Sequence, residues 1–300
     1  MANDRRTERS TIDETTSIGN AQDRSGPPTL EDELRDRGWT DEELAYAPSS
    51  WAVVGGVILV RLDEDAPRPE EIGEALLKYQ GGTHTVLERG DIGGDYRSPD
   101  VSVLAGEGTT RTVHTEAGTE YAIDLAELMF SPGNQAERIR MGAQTATGES
   151  VLDMFAGIGY FTLPMARAGA TVVAVEWNPT AIEFLLENVE RNGVSDRVRI
   201  YRGDCSEIVP ALAEGERFDR IVMGHYDAWE HLDPAIGALA PGGTVHLHEA
   251  TPEPLVPDRP IGRLEAAVAA AGRSIDRLDH HTVKSHSEGV SHVVVTATVR

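Results

Sequence analysis

The chain has 300 residues and a formal net charge of −23, with 50 acidic residues against 27 basic ones. This length suffices for two domains, and the lack of any run of about 18 apolar residues argues against a membrane-spanning helix. Cys205 is the only cysteine, which excludes a disulfide framework within the chain and favours a reducing cytoplasm.

Residues 1–28 are polar, rich in Ser and Thr, and predicted to be a disordered tail. They contain no apolar segment of the kind found in a secretory signal. Residues 29–128 are predicted to form a smaller N-terminal α+β domain. Helices are predicted over residues 30–37 and 69–79, and strands over 51–62 in two pieces, 83–89 and 101–105, followed by a hairpin over 113–125.

Residues 129–300 are predicted to form a second, α/β domain, because apolar strand patterns alternate with helix patterns. Helices are predicted over residues 179–191, 206–213, 228–239 and 260–271. Strands are predicted near Val151, Val172, Val198, Ile221, Val245, Ile275 and Val293. Five strand–helix units followed by two closing strands predict a doubly wound, seven-stranded, Rossmann-like sheet.

Residues 151–179 are the most informative stretch, with a buried strand, a glycine turn, a helix and a second strand that ends in an acid. Gly157 and Gly159 allow a tight turn that brings backbone amides close to a ligand. Glu176 ends the second strand, where a carboxylate can accept hydrogen bonds from both ribose hydroxyls. Asp204 ends a third strand, where it could reach an adenine amino group or simply cap a helix. The pattern predicts a nucleoside pocket.

The glycine spacing distinguishes between two nucleoside ligands. A dinucleotide fingerprint requires a third glycine three residues after the second, and Thr162 occupies that position. S-adenosylmethionine carries no phosphate and needs glycines only for close approach. With Asp153 before the turn and Glu176 after it, the pattern favours S-adenosylmethionine over NAD. A structural turn in a generic α/β domain is the other interpretation, and Asp204 counts against it.

Several motifs resemble those of a family of archaeal tRNA-modifying enzymes with the class I methyltransferase fold. The similarity runs from about Trp51 to the C-terminus. It is carried by MFSPGN at 129–134 with ERIRM at 137–141, VLDMFAGIGYF at 151–161, EWNP at 176–179, and VKS at 283–285. One branch of this family methylates N1 of the guanosine just 3′ of the anticodon. The other transfers the 3-amino-3-carboxypropyl group of S-adenosylmethionine to C7 of 4-demethylwyosine in tRNA-Phe.

The segment after the fourth strand separates the two branches. The methyltransferase branch has Asn-Leu-Pro there, whereas this chain has MGHY at 223–226, similar to the Met-Gly-Tyr of the transferase branch. MFS at 129–131 and HLHE at 246–249 also resemble the transferase branch. The resemblance implies aminocarboxypropyl transfer with release of 5′-methylthioadenosine, and N1 methylation is the alternative.

The resemblance also implies a cofactor site. Ser131 and Arg138 would hold the methionine part, Glu176 the ribose, and Asp204 with the backbone of Cys205 the adenine; Asp153, Gly157 and Gly159 complete the predicted set. Arg138 is expected to pair with the cofactor carboxylate in bidentate fashion. Ser131 could also cap the helix that follows it. The Cys205 thiol is expected to be a small buried group and not a nucleophile.

Three further residues are candidate substrate contacts: His225, Tyr226 and His248. His225 and Tyr226 follow a strand end, where open α/β sheets bind ligands, and Tyr226 could stack on the tricyclic base. No catalytic base is identified. His246 and His248 share a strand face, but no third and fourth ligand is visible, so no metal site is predicted.

The charge pattern bears on the partner. Only Lys78 and Lys284 are lysines, so the other basic residues are arginines. An acid excess with almost no lysine is typical of proteins that stay soluble at high salt, as in halophilic archaea, although GC-rich coding would also favour arginine. At high salt, recognition of tRNA-Phe, the predicted partner, is expected to rest on shape, stacking and arginine hydrogen bonds.

Three readings remain beside the transferase. The first is the N1 methyltransferase already named. The second is a tRNA-binding protein that keeps the cofactor pocket without turnover, and intact Glu176 and Asp204 argue against it. The third is a small-molecule methyltransferase, which leaves residues 29–128 unexplained. In every case a cytoplasmic monomer is favoured.

Overall fold

The computed structural model describes residues 29–94 and 96–300, so the predicted tail at 1–28 lies outside the described residues. The N-terminal part contains helices α1 (Leu30–Asp36), α2 (Asp41–Leu44) and α3 (Pro69–Gln80), and strands β1 (Trp51–Val54), β2 (Val57–Val60), β3 (Thr85–Gly93) and β4 (Ser98–Gly106). These strands form one sheet in the order β1-β2-β3-β4. Strands β2 and β3 are parallel, and the other neighbours are antiparallel.

Local chemistry sets where the N-terminal helices begin. Thr29 starts α1 and Thr40 starts α2; each hydroxyl accepts from the amide three residues on, and the acid at that position accepts from the threonine amide. Helix α3 supplies the crossover that the parallel pair β2–β3 requires. It buries Ile72 and Leu76 in a core shared with the sheet.

The predicted hairpin is present as β5 (Arg111–Glu116) and β6 (Thr119–Asp124), which pair only with each other among the described strands. The C-terminal part then contains helices α4 (Gln135–Gln144), α5 (Thr162–Arg167), α6 (Pro179–Arg191), α7 (Cys205–Ala213), α8 (Leu232–Ala238) and α9 (Asp258–Ala270). Its strands are β7 (Ser150–Asp153), β8 (Thr171–Glu176), β9 (Val198–Arg202), β10 (Phe218–Met223), β11 (Leu239–Pro252), β12 (Ile275–Ser287) and β13 (Val290–Val299).

The seven C-terminal strands form one mixed sheet in the order β12-β13-β11-β10-β7-β8-β9. Strand β13 is antiparallel to both of its neighbours, and the pairs from β11 to β9 are parallel. The strand order reverses between β7 and β10, the place where open α/β sheets bind ligands. This topology confirms the predicted doubly wound class I methyltransferase fold with an N-terminal α+β extension.

Both faces of the central strands are buried. Val151 and Val172 belong to one hydrophobic cluster, and Leu152 and Val173, the next residue on each strand, belong to another. The first cluster includes residues of α4, α5 and α6, and the second includes residues of α7, α8 and α9. No helix in the described part of the chain has the length and apolar content needed to cross a membrane.

A buried asparagine on α6 fastens the β5–β6 hairpin to the larger sheet. The Asn188 amide accepts from the Ala122 N–H at 2.6 Å and donates to the carbonyls of Ala122 and Ile158 at 3.1 and 3.0 Å. One turn later, Asn192 exchanges two hydrogen bonds with the Glu120 backbone. The hairpin therefore packs on the helices of the second sheet, and the division at residue 128 stays a prediction.

Candidate active site

A cavity of about 460 Å³ opens where the strand order reverses. One part of its wall, the cofactor half, comes from residues that end or follow β7, β8 and β9. A second part, the substrate half, comes from residues on or after β10, β11 and β13, and the rest of the wall comes from residues that precede β7, among them Ser131 and Arg138. The volume lies in the range of small-molecule sites, about 300–1,000 Å³. All the predicted site residues except Asp153 and Gly159 line this cavity.

Glu176 is held against the glycine turn by backbone amides. One carboxylate oxygen accepts from Gly157 at 2.7 Å, and the other accepts from Trp177 and Asn178 at 3.0 and 2.8 Å. Burial raises the pKa of Glu176, and these three hydrogen bonds oppose that shift. A carboxylate has about four acceptor positions, so Glu176 can still accept from a ligand hydroxyl without rearranging.

Asp153 and Gly159 lie behind the cavity wall. Asp153 is fully buried and accepts from the Thr162 hydroxyl at 2.7 Å, and burial raises the pKa of Asp153 to about 6. A Cβ at Gly159 would lie 2.8 Å from Leu163 and 3.0 Å from Leu185. Packing of α5 and α6 against the turn therefore requires this glycine. The structure places these two predicted cofactor contacts in supporting positions instead of on the wall.

Asp204 and Cys205 lie where β9 gives way to α7. The Asp204 carboxylate caps α7 by accepting from the Ser206 amide at 2.7 Å, and it also lines the cavity. The two roles considered from spacing alone are therefore compatible. Burial raises the pKa of the Cys205 thiol to about 12, which disfavours a nucleophilic thiolate. A carboxylate oxygen of Asp204, the Cys205 sulfur and a ring nitrogen of His231 lie within 4.8 Å of one another, at the end of the cavity predicted to hold adenine.

Ser131 and Arg138 lie together, with partners that the sequence did not predict. Ser131 precedes a 3-10 turn at Pro132–Asn134 and makes no capping hydrogen bond; its hydroxyl accepts from the Lys284 ammonium at 2.5 Å. Arg138 forms a buried bidentate pair with Glu116, at 2.6 and 2.7 Å, and donates to the Ser131 carbonyl. Glu116 thus occupies the guanidinium fork expected to hold the cofactor carboxylate, and Lys284 is the cation that reaches the Ser131 hydroxyl.

His225 and Tyr226 place aromatic rings on the wall after β10. The His225 ring stacks on Phe155 with 5.4 Å between centroids, and burial lowers the pKa of His225. The Tyr226 ring meets His292 edge-on at 5.0 Å, and the Arg97 guanidinium lies 5.4 Å from its centroid. Such aromatic surfaces can contact a flat heterocyclic base.

The two histidines of HLHE have different surroundings. His246 contacts the Arg220 guanidinium at 2.5 Å and the Thr296 hydroxyl at 3.0 Å, so it is fixed inside the sheet domain. His248 lines the cavity and pairs with His292, with 3.0 Å between Nδ1 and Nε2. His292 lies on β13, is only 2% exposed and lines the cavity.

An aromatic pair on the cavity rim was missed from the sequence. Tyr96, in the β3–β4 turn, and Trp177, after β8, meet edge-to-face with 5.2 Å between centroids, and each is 48% exposed. Both residues line the cavity. The available signal was a tyrosine within a glycine-rich turn. The pair brings a residue of the N-terminal sheet to the mouth of the site.

Comparison with known proteins agrees with this geometry. Residues 112–275 match the family described as TRM5/TYW2 methyltransferase domain, and residues 30–109 match the TYW2 N-terminal domain. The chain is 35% identical over 271 residues to the tRNA(Phe) (4-demethylwyosine(37)-C(7)) aminocarboxypropyltransferase of Pyrococcus horikoshii. That match covers 89% of this chain and 95% of the relative.

Two solved structures share the fold over most of this chain. Pyrococcus horikoshii TYW2 in complex with MeSAdo has a TM-score of 0.77 and 33% identity, covering 89% of this chain and 97% of that one. Trm5b from Pyrococcus abyssi has a TM-score of 0.78 and 29% identity, covering 87% and 78% of the two chains. The chain therefore belongs to the TRM5/TYW2 methyltransferase-domain family.

Proposed function

We propose that this protein transfers the 3-amino-3-carboxypropyl group of S-adenosylmethionine to C7 of 4-demethylwyosine, next to the anticodon of tRNA-Phe. The match of residues 30–109 to the TYW2 N-terminal domain carries the choice between branches, because the other match is common to both. The name of the 35%-identical relative supports the same reaction. The MeSAdo complex also supports it, since this compound, 5′-methylthioadenosine, is the by-product of the transfer.

The cofactor half of the cavity suits the nucleoside part of S-adenosylmethionine. Glu176 would accept from the ribose, while Asp204 and the Cys205 backbone would contact the adenine. Gly157 permits close approach because it has no Cβ. Its backbone is also left-handed, with φ of +55°, a conformation that favours glycine. Asp153 and Gly159 would act indirectly, by holding the turn in place.

The methionine part of the cofactor decides which carbon reacts, because the sulfonium activates all three of its carbons. Ser131 and Lys284 offer a hydroxyl and an ammonium that are already 2.5 Å apart. We propose that this pair holds the carboxylate of the cofactor tail. Arg138 would contribute by fixing the Ser131 carbonyl, since its fork is paired with Glu116.

The transfer itself asks for alignment more than for acid catalysis. C7 attacks the γ-carbon, the bond between sulfur and that carbon breaks, and its electron pair stays on sulfur. A sulfonium becomes a neutral thioether, so the leaving group needs no proton. Holding C7, the γ-carbon and the sulfur in one line supplies the main contribution to catalysis. His225 and Tyr226 are proposed to contact the flat base beside them.

A double-label experiment tests the function. The protein is incubated with tRNA carrying 4-demethylwyosine and with S-adenosylmethionine labelled either in its carboxyl group or in its methyl group. We expect carboxyl label on the tRNA, methyl label in 5′-methylthioadenosine, and no S-adenosylhomocysteine. A parallel reaction uses unmodified tRNA. Methyl label on that tRNA would establish instead the guanine-N1 methyltransferase, which the likeness to Trm5b favours. Tight tRNA binding without label transfer would indicate a non-catalytic binder.

The partner surface is part of the same proposal. We propose that the N-terminal domain, residues 29–128, faces the tRNA, with the Tyr96–Trp177 pair offering rings for stacking on neighbouring bases. The acidic, lysine-poor composition suits binding at high salt, where counterion release contributes little. We expect tRNA affinity to change little between about 0.5 and about 3 M KCl, because exposed charges are strongly screened throughout this range. A steep loss of affinity would contradict this docking mode.

A further inference from the structure

A chain of titratable side chains leads from the cavity wall towards the surface. His292 Nε2 and His248 Nδ1 lie 3.0 Å apart, and His248 Nε2 lies 3.8 Å from one oxygen of Glu137. The other Glu137 oxygen lies 2.9 Å from Nε2 of His281, whose side chain is 36% exposed. Arg140 donates one hydrogen bond to each Glu137 oxygen, at 2.8 and 2.5 Å, and so holds the carboxylate in place between the two histidines. His292, His248 and Glu137 are buried, and the two histidines line the cavity. We call these four residues the relay.

Among the residues that the structure describes, two ring nitrogens of the relay have no hydrogen-bond partner: Nδ1 of His292 and Nε2 of His248. A buried polar atom without a partner destabilises the folded state, so stability does not explain this arrangement. Proton transfer requires ring nitrogens that are free to accept or donate, and both of these belong to residues that line the cavity. The gap between His248 and Glu137 is too long for a direct hydrogen bond, and a small side-chain shift or one water closes it.

The proposed reaction leaves a proton to be removed. When C7 bonds to the γ-carbon, it carries the new substituent as well as its original hydrogen, and the ring system becomes a cation. Loss of that hydrogen as a proton returns the C–H electron pair to the ring and restores aromaticity. The thioether that departs is a very weak base, so the protein has to accept the proton.

We infer that His292 accepts this proton at Nδ1 and passes its Nε2 proton to Nδ1 of His248. His248 then passes its own Nε2 proton to Glu137, which releases it to solvent beside His281. Each ring gains one proton and loses another, so no further reactant takes part. The histidine tautomers are restored by exchange with solvent after the products leave. The inference rests on the proposed function and gives that reaction its base.

The surroundings keep both rings ready to accept a proton. Burial lowers the pKa of His292 to about 4 and holds the pKa of His248 well below its usual range. Both rings are therefore neutral near pH 7. A weak base is sufficient, because the alkylated ring cation is a far stronger acid than imidazolium. The pKa of His292 is also lowered by Lys284, His286 and His281 and raised by Glu137. The pKa of His248 is also lowered by His292, His246, Arg140 and His281.

An isotope experiment tests the relay in the full-length protein. The substrate is tRNA with 4-demethylwyosine that carries either hydrogen or deuterium at C7, and single-turnover product formation is followed by the absorbance of the tricyclic base. Variants His292→Asn, His248→Asn and Glu137→Gln are compared with the wild type. His280→Asn is the matched control, because His280 is exposed and precedes His281 on β12. Calorimetry with S-adenosylmethionine verifies cofactor binding in each protein.

We expect the wild type and His280→Asn to react equally fast with both isotopes, because formation of the carbon–carbon bond limits the rate. In His292→Asn, proton loss becomes limiting: the product forms about 10²-fold more slowly, deuterium slows it further, and added imidazole restores part of the rate. His248→Asn and Glu137→Gln show the isotope effect with smaller rate losses. A merely structural role would alter melting or cofactor affinity without creating an isotope effect.

Wild-type rates without an isotope effect in all three relay variants would overturn the inference. If one variant does not fold, the isotope effect in the other two decides. A wild-type protein that releases S-adenosylhomocysteine, or no by-product, would contradict the proposed function instead. The two failures are distinguishable because 5′-methylthioadenosine release from the wild type is measured first.

Discussion

The two halves of the cavity are built by different kinds of contact. In the cofactor half, Glu176 and Asp204 are fixed by hydrogen bonds from backbone amides that lie within two residues of them or in the glycine turn. In the substrate half, Tyr226, His248 and His292 are fixed by contacts between side chains on strands far apart in sequence. Changes in the cofactor half should therefore alter binding first, whereas changes in the substrate half should alter the chemical step.

The largest effect is expected from Arg138→Met, because Arg138 lies between the two halves, pairs with a buried acid and donates to the Ser131 carbonyl. The change leaves the Glu116 carboxylate, 4% exposed, without its guanidinium partner and, among the described residues, with only the His114 ring at 3.2 Å, and we expect a loss of about 3–5 kcal/mol in the free energy of unfolding. Denaturant unfolding measures it. The double variant Arg138→Met with Glu116→Leu removes both charges and should recover most of the loss; equal stabilities of single and double variants would contradict this.

Asp153→Asn should change how stability depends on pH. Burial raises the folded-state pKa of Asp153 from 3.8 to about 6, so the folded protein holds this proton more tightly than the unfolded chain does. Its favourable contribution is complete below pH 4 and is lost as the pH rises to about 6. The asparagine does not titrate, so variant stability minus wild-type stability should rise over that window by on the order of 2–3 kcal/mol.

The stabilities of the wild type and of Asp153→Asn are measured by thermal unfolding between about pH 4 and about pH 8. Asp196→Asn is the control, because the Asp196 side chain is 75% exposed and the same chemical change is made there outside the core. A stability difference between Asp153→Asn and the wild type that stays flat with pH would mean that the buried carboxyl does not titrate in this window.

Glu176→Gln tests the cofactor half directly. The amide cannot accept at all the positions that the carboxylate uses, and the loss of one charge-assisted hydrogen bond is expected to weaken binding by about 10–100-fold. Calorimetry should find this loss for both S-adenosylmethionine and 5′-methylthioadenosine, since both contain the ribose. Glu183→Gln, an exposed change on α6, serves as the control. Unchanged affinity in Glu176→Gln would remove the ribose assignment.

Lys284→Met should have the smallest and most selective effect. We expect S-adenosylmethionine to bind about tenfold more weakly, while 5′-methylthioadenosine, which lacks the carboxylate tail, binds as before. Lys78→Met is the matched control, because Lys78 is the other lysine and its side chain is 61% exposed on α3. Equal losses for the two ligands would indicate that Lys284 supports the cavity in general and does not hold the tail.

The sequence predicts the elements that local chemistry determines. Helix α6 begins and ends where predicted, because Asn178 caps it and Pro179 occupies its first turn. Helix α2 was missed because four residues are too few for a periodic pattern, although Thr40 and Glu43 form its capping box. Strands β3 and β4 extend beyond their predicted limits because pairing with each other, and not an apolar pattern, forms their exposed outer halves.

The same distinction applies to the site. The turn at Gly157 and the acid Glu176 lie in one short stretch, so their proximity can be predicted from spacing. His292 faces Lys284 across the β12–β13 pair, and it meets His248 only because of the β11–β13 register. A register between long strands is not encoded by any short motif. The choice of Glu116 as the partner of Arg138 likewise depends on where the hairpin packs.

The scarcity of lysine gives this protein a built-in probe of its own cavity. Burial lowers the pKa of Lys284, so a larger share of its amine is unprotonated and open to acylation at mildly alkaline pH. Lys78 is exposed on α3 and does not line the cavity, so its labelling can serve as an internal standard in the same digest. Mass mapping after brief acylation would thus report whether a ligand covers Lys284 beside Ser131 in unmodified protein, without a radioactive or fluorescent ligand.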